Sequence, residues 1–259
     1  MPFADANGIR IHYELEGPTD APVLAFSNSL GTNLRMWDAQ ADGVRDEFRI
    51  LRYDTRGHGQ TSAPTGPYTI ELLANDFVAL LNALGIADCR FCGLSMGGMT
   101  ALWLALHHSD RVKKIIVANS AAKIGTADTW NQRIATVTKD GIPSVARDVV
   151  ARWFTPEFQK QEPDVVDAMR KMLETTNPQG YIANCAAIRD MDQRGSVARI
   201  NIPTLIVSGE CDPVTPPTEG DALANAIRGA KHVKLHAAHL SNIECAAEFT
   251  NALSAFLKD

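Results

Sequence analysis

Ser95 stands in Cys92-Gly93-Leu94-Ser95-Met96-Gly97-Gly98, with glycine two residues before it and two after, directly behind an apolar run and directly ahead of a helical one. A serine on a sharp strand-to-helix turn has crowded backbone dihedrals. Small residues at those two places let the chain pass, and the turn lifts the hydroxyl clear of a sheet. The following helix offers free N–H groups and a positive dipole end beside it. The chemistry this invites is nucleophilic attack on a carbonyl. A hydroxyl is a weak nucleophile near neutral pH and needs a base that a third group holds in place. In an architecture that presents serine this way, the acid and then the histidine follow it along the chain. Without such partners the same residues describe only a glycine-rich turn.

The acid candidate is Asp212, in Ser208-Gly209-Glu210-Cys211-Asp212-Pro213, a loop at the end of a strongly apolar strand. A bland role is also open to it, as the cap of a following helix or the first residue of an Asx-turn before Pro213. Glu210 is the nearest competitor but lies closer to the strand. Of seven histidines, His239 sits just past the end of a strand and is the candidate base. His232 and His236 flank or join that strand with an even separation, which puts them on one face and suits packing or surface roles. His107 and His108 close a helix, where cationic side chains suit the dipole. The oxyanion of an attacked carbonyl needs two donors. The first is the N–H of Met96; the second is expected from Ser27-Asn28-Ser29-Leu30-Gly31, where small polar residues let the backbone turn inward, and the N–H of Leu30 is chosen. Such donors are worth about 3 to 4 kcal/mol in the barrier.

These residues require elements to hold them. Short apolar runs at 23–26, 48–53, 90–93, 114–118, 203–208 and 233–235 are each bounded by Gly, Pro, Asp or Asn and predict strands. Helical patterns lie between them, clearest at 70–84, 99–107 and 246–257. The alternation implies an α/β fold with a mainly parallel sheet covered by helices on both faces. Residues 9–15 alternate apolar with polar behind the turn dipeptide Asn7-Gly8, which predicts an antiparallel edge. From 123 to 195 the strand signal vanishes and only helical patterns remain, such as 144–153 and 164–175. We read 1–122 and 196–259 as a core domain and 123–195 as a helical cap inserted over the carboxyl edge of the sheet, where open α/β sheets bind ligands. The insertion holds ten Lys/Arg and ten Asp/Glu, together with Trp130 and Trp153.

Composition removes other classes. A length of 259 residues, 45% hydrophobic and 21% charged, suits one large globular domain. A formal charge of -5 is the wrong sign for a phosphate-backbone binder, so no nucleic-acid partner is expected. The start of the chain lacks the basic and apolar regions of a secretory signal, which predicts a cytoplasmic protein. Residues 91–109 carry no formal charge, yet their glycines, Ser95 and Thr100 argue for a buried strand, turn and helix rather than a membrane span. Five scattered cysteines suit a reducing compartment. Cys89 and Cys92 are three apart on a predicted strand, hence on opposite faces, where they can neither pair nor share a metal.

Ser95, Asp212 and His239, together with Asp54-Thr55-Arg56-Gly57-His58-Gly59, resemble the α/β-hydrolase superfamily across the whole chain. Four further segments resemble the bacterial 3-oxoadipate enol-lactonases: Ser27 to Thr32, Ala121 to Thr126, Arg152-Trp153-Phe154-Thr155-Pro156, and Ala238 to Glu244. Many superfamily members carry His-Gly at the oxyanion loop, and Asn28-Ser29 replaces it here in the manner of the enol-lactonases. Some place the acid after the preceding strand, where this chain has Asn119 and no carboxylate. The resemblance implies a serine hydrolase that opens an anionic lactone through an acyl-enzyme, with no metal or organic cofactor. The substrate carboxylate then needs a cation. Arg133 and Arg152 are the candidates, Arg being suited to bidentate carboxylate contacts, with Trp130 and Trp153 expected to line the pocket. Other readings are a broader carboxylesterase or a C–C bond hydrolase with the same triad, and a noncatalytic receptor on the same scaffold.

Overall fold

The computed structural model describes residues 2–259. Eight strands form one sheet: β1 (Phe3–Ala6), β2 (Ile9–Glu16), β3 (Val23–Ser27), β4 (Arg49–Tyr53), β5 (Cys89–Leu94), β6 (Val112–Ala118), β7 (Thr204–Gly209) and β8 (Lys231–Leu235). Their spatial order is β1-β2-β4-β3-β5-β6-β7-β8. The β1–β2 and β2–β4 pairings are antiparallel and the remaining pairings are parallel. The edge follows from Asn7 and Gly8, whose φ values of 47° and 74° make the paired left-handed turn that a tight hairpin needs. β3 and β7 are buried at every residue, as strands covered on both faces must be.

Alternate strand residues feed two hydrophobic clusters. Ala25, Leu51 and Phe91 pack with Phe77 and Leu80 of α2 (Ile70–Ala83, after the short α1, Asp38–Val44) and with Leu102 of α3 (Met96–His107). Leu24, Phe26 and Ile50 face the other way, toward Ala41 and Val44 of α1. Cys89 falls in the first cluster and Cys92 in the second, so their side chains lie on opposite faces of β5. The uncharged stretch at 91–109 resolves into the end of β5, the turn and α3, and among the described residues no helix is long and apolar enough to cross a membrane.

Between β6 and β7 come five α-helices, a short 3-10 turn (Val197–Arg199) and no strand: α4 (Ala127–Asp140), α5 (Pro143–Val150), α6 (Pro156–Gln161), α7 (Pro163–Glu174) and α8 (Pro178–Asp190). Four of them begin on proline, whose missing N–H costs nothing in a first turn. The side chains of Thr126, Thr155 and Asn177 cap three starts by accepting backbone N–H bonds. The helix expected over 144–153 stops at Val150, because Trp153 and Phe154 turn inward and are buried in the second cluster. The chain returns to the sheet through β7, α9 (Pro217–Ala226), β8, the single turn α10 (Ser241–Glu244) and α11 (Ala246–Lys258), with Phe249 and Leu253 of α11 packing beside α1.

The inserted helices and the sheet share one hydrophobic cluster, in which Leu173 and Tyr181 join Leu94 and Leu240. Polar contacts fix their register. Asn184 of α8 donates to the carbonyl of Arg56 at 2.8 Å, and the Leu240 N–H donates to the carbonyl of Trp153 at 2.9 Å. At one place the two backbones touch: a Cβ on Gly180 would lie 2.3 Å from the carbonyl oxygen of Gly57.

Candidate active site

Ser95 occupies the turn between β5 and α3 at φ 57° and ψ -112°, outside the regions that non-glycine residues favour. The surroundings over-determine this strained geometry. The Ser95 N–H donates to the carbonyl of Ala118 at 2.9 Å, and its own carbonyl accepts from Ser120 Oγ at 2.7 Å. The flanking glycines are steric requirements. A Cβ on Gly93 would lie 2.0 Å from the Gly97 carbonyl oxygen, and one on Gly97 would lie 2.2 Å from that of Ser27.

Asp212 and His239 meet at the ends of β7 and β8. His239 Nδ1 lies 2.8 Å from Asp212 Oδ2, and both side chains are buried. The same carboxylate oxygen accepts from Thr215 Oγ1 at 2.7 Å and from Asn119 Nδ2 at 3.0 Å. Oδ1 accepts the N–H groups of Val214 at 2.7 Å and Thr215 at 3.0 Å. The Asx-turn and the histidine partner are therefore one arrangement, in which the turn grips one oxygen and aims the other. Burial pushes the Asp212 carboxyl up, but the His239 charge and the hydrogen bonds from His239, Thr215 and Asn119 outweigh it and hold the group below its usual range. Glu210 is exposed and faces His236 instead.

Ser95 and His239 line one cavity of about 290 Å³. Among the described residues no hydrogen bond joins the serine hydroxyl to the ring, a looseness common in ligand-free hydrolytic sites. Leu30 lines the same cavity. The N–H groups of Leu30 and Met96 have no partner within the described chain, while their neighbours are engaged. The Gly31 N–H donates to His58 Nε2 at 2.9 Å, and the Gly97 N–H donates to the Asn28 carbonyl at 3.1 Å. Two free donors beside a serine can hold a developing oxyanion.

The loop carrying Leu30 is braced from beneath. Asn28 donates to the Tyr53 carbonyl at 3.1 Å and accepts from Trp37 Nε1 at 3.1 Å. Asp54 Oδ1 accepts the Leu34 N–H at 2.9 Å, and Asp54 Oδ2 lies 2.6 Å from His12 Nδ1. His58 is buried, and desolvation lowers its pKa to about 4, so the ring is neutral and its bare Nε2 can accept from Gly31.

The other sequence candidates divide. Trp130, Arg133 and Arg152 line the cavity, whereas Trp153 does not; its ring is buried and its carbonyl binds the Leu240 N–H. Trp130 is pinned through Nε1 to the Ile124 carbonyl at 2.7 Å. Arg133 donates from Nη1 to Tyr181 Oη at 3.0 Å, and Arg152 donates from Nε to the Asp148 carbonyl at 3.1 Å. Among the described residues neither arginine forms an ion pair. Burial and the nearby Arg133 charge hold Arg152 below its ordinary pKa, and burial pushes the Tyr181 phenol up to about 12.

Sequence reasoning passed over Tyr181, Thr215, Glu244 and the bracing role of His58. Glu244 accepts from the N–H and hydroxyl of Thr155 with one carboxylate oxygen and from the Ala238 N–H at 2.8 Å with the other, tying the inserted helices to the loop that carries His239. Thr215 had a signal, three residues past Asp212, the spacing of a side chain that closes an Asx-turn. Tyr181 had none, since only tertiary packing brings α8 over the serine.

Residues 22–246 match the family described as the alpha/beta hydrolase fold. The chain is 42% identical to 3-oxoadipate enol-lactonase 2 of Acinetobacter baylyi, covering 98% of this chain and 95% of that protein. It is 39% identical to 3-oxoadipate enol-lactonase 1 of the same organism, covering 99% and 96%. The crystal structure of the enol-lactonase from Burkholderia xenovorans LB400 superposes with a TM-score of 0.98 at 43% identity, covering all of both chains.

Proposed function

Since the chain belongs to the α/β-hydrolase family, we propose that it is a serine hydrolase that opens 3-oxoadipate enol-lactone to 3-oxoadipate. Relatives named for this activity match it at 39% and 42% identity over nearly its full length. The observation that carries the reading is that one small cavity holds a serine, a buried histidine and, on its wall, two arginines without carboxylate partners. That combination suits a small anionic ester.

In the reaction, Ser95 Oγ attacks the lactone carbonyl as His239 Nε2 takes its proton. Asp212 Oδ2 accepts the Nδ1–H, fixing the tautomer and stabilising the imidazolium. The carbonyl oxygen becomes an oxyanion between the N–H groups of Leu30 and Met96. Collapse breaks the ring C–O bond, and the leaving oxygen departs as an enolate that takes up the proton held by His239 and becomes the ketone, which leaves the imidazole neutral. The opened chain stays attached to Ser95 as an acyl-enzyme. Water, deprotonated by His239, attacks that ester and releases the dicarboxylate. Arg133 and Arg152 bind the carboxylate that the lactone already carries, and Trp130 and Tyr181 bound its ring.

The test is the loss of ultraviolet absorbance when the purified protein meets 3-oxoadipate enol-lactone, run beside p-nitrophenyl acetate. Fast loss with a poor response to the neutral ester is the expected result. Turnover of the neutral ester alone would overturn the lactone assignment and favour a general carboxylesterase.

A further inference from the structure

Arg133 and Arg152 do not line the catalytic cavity alone. Both, with Thr129, also line a groove on the outer surface between α4 and α5, whose other walls are Gln132, Thr136, Ser144, Val145 and Asp148. The two depressions thus share a wall made of two arginine side chains and one threonine. Each arginine is anchored by one described hydrogen bond, Arg133 to a phenol and Arg152 to the Asp148 carbonyl of α5. Neither is held by a carboxylate. Long side chains tied at one point and repelled by each other's charge can swing at little cost, unlike Arg52, whose guanidinium contacts Glu14, Glu16 and Asp38.

The groove is also the right kind of surface. Gln132 offers its side-chain amide to a hydrated anion, the Thr136 and Ser144 hydroxyls donate to the carbonyls of Gln132 and Gly141, and the one acid there, Asp148, offers its backbone carbonyl to Arg152. The chain passes from α4 to α5 through Gly141 at φ 76° and the buried Ile142, which belongs to the second hydrophobic cluster.

We propose that small carboxylate substrates reach Ser95 through the seam between α4 and α5, the anion being received in the outer groove by Arg133 and Arg152 and carried inward as those side chains turn. The identity of the anion rests on the enol-lactonase reading, whereas the route does not.

The route is tested with Thr136→Trp and Ser144→Trp, two positions that line the groove but not the catalytic cavity. Each is expected to lower kcat/KM by roughly tenfold on both the enol-lactone and p-nitrophenyl acetate while leaving kcat within about twofold, the pattern of impeded access rather than damaged chemistry. The arginine step is tested by salt: raising ionic strength from 20 to 300 mM, which shortens screening from about 20 Å to about 6 Å, lowers kcat/KM several-fold for the lactone and not for the neutral ester. Both tryptophan variants retaining full kcat/KM on both substrates would overturn the route. A lactone rate indifferent to salt would overturn the arginine step. If the enzyme ignores the lactone altogether, the enol-lactonase reading fails, and the variants on p-nitrophenyl acetate still decide the route.

Discussion

The two ends of the catalytic cavity are built on opposite plans. At the sheet end the acid and the groups around it are fastened. Asp212 receives five hydrogen bonds, counting His239, and Asn119 is itself held by the Ala238 carbonyl and Ser241. At the α4–α5 end two cations hang from single hydrogen bonds. Rigid donors aimed at a charge that exists only in the transition state need no reorganisation when it forms. Cations that must first meet a substrate and then follow it gain from being free to move. On the proposed reading, preorganised chemistry and adaptable recognition occupy the two ends of one cavity.

Substitutions at the fastened end should fall on kcat and those at the loose end on KM. Ser95→Ala gives the largest expected effect, a loss of about 10⁶-fold in kcat on the enol-lactone, read by single-turnover absorbance. Residual turnover near the unaltered rate would end the contrast, because the nucleophile would lie elsewhere. Asp212→Asn comes next, at about 10⁴-fold in kcat, since an amide in place of Oδ2 favours the wrong tautomer of His239. The pH dependence of stability in the unaltered protein is informative too, and the variant should lack this part of it. The Asp212 carboxyl is held below its usual range, so its pairing contributes stability that is complete above about pH 4 and lost as pH falls through the lowered value.

A smaller effect concerns the brace under the oxyanion loop. His58 is neutral in the fold and titrates near 4 rather than 6.5. Between those values the unfolded chain binds the extra proton, so stability is complete above about pH 6.5 and falls by roughly 3 kcal/mol as pH drops to 4. Urea unfolding across that window measures it, and His58→Ala should flatten the slope. If the slope survives in the variant, another buried group carries it. Smallest is Arg133→Gln, which should reduce kcat/KM on the lactone about tenfold, mainly through KM, and leave p-nitrophenyl acetate unchanged. A loss in kcat instead would show that the loose end takes part in the chemistry and would blur the distinction.

The same division explains what could be read from the residues. The strands, α2, α3, α11 and the edge hairpin follow from apolar runs, periodicity and Asn7-Gly8, because local chemistry and burial agree there. The geometry at Ser95 follows from glycines that have no alternative once the turn is sharp. The inserted helices carry weaker information. Their prolines mark where they start, but nothing local says that Trp153 is buried while Trp130 reaches the cavity, or that α8 brings Tyr181 to Arg133. Those outcomes depend on how five short amphipathic helices pack on one another, a global property that no spacing of residues encodes. Asn119 lies between the two cases: its place after β6 was legible, and its service to a carboxylate on the next strand needed three dimensions.

The contact between Gly57 and Gly180 sets more than a local fit. With a Cβ on Gly180 only 2.3 Å from the opposite carbonyl oxygen, any side chain there must prise α8 away from the loop beneath it, and Tyr181, the next residue, forms part of the cavity wall. The two glycines therefore act as a shim whose thickness is zero. Inserting a single methyl would tilt the roof and enlarge the chamber without altering one residue that a ligand touches. The size of the chamber is thus set in part from outside its lining, by a contact that no ligand reaches.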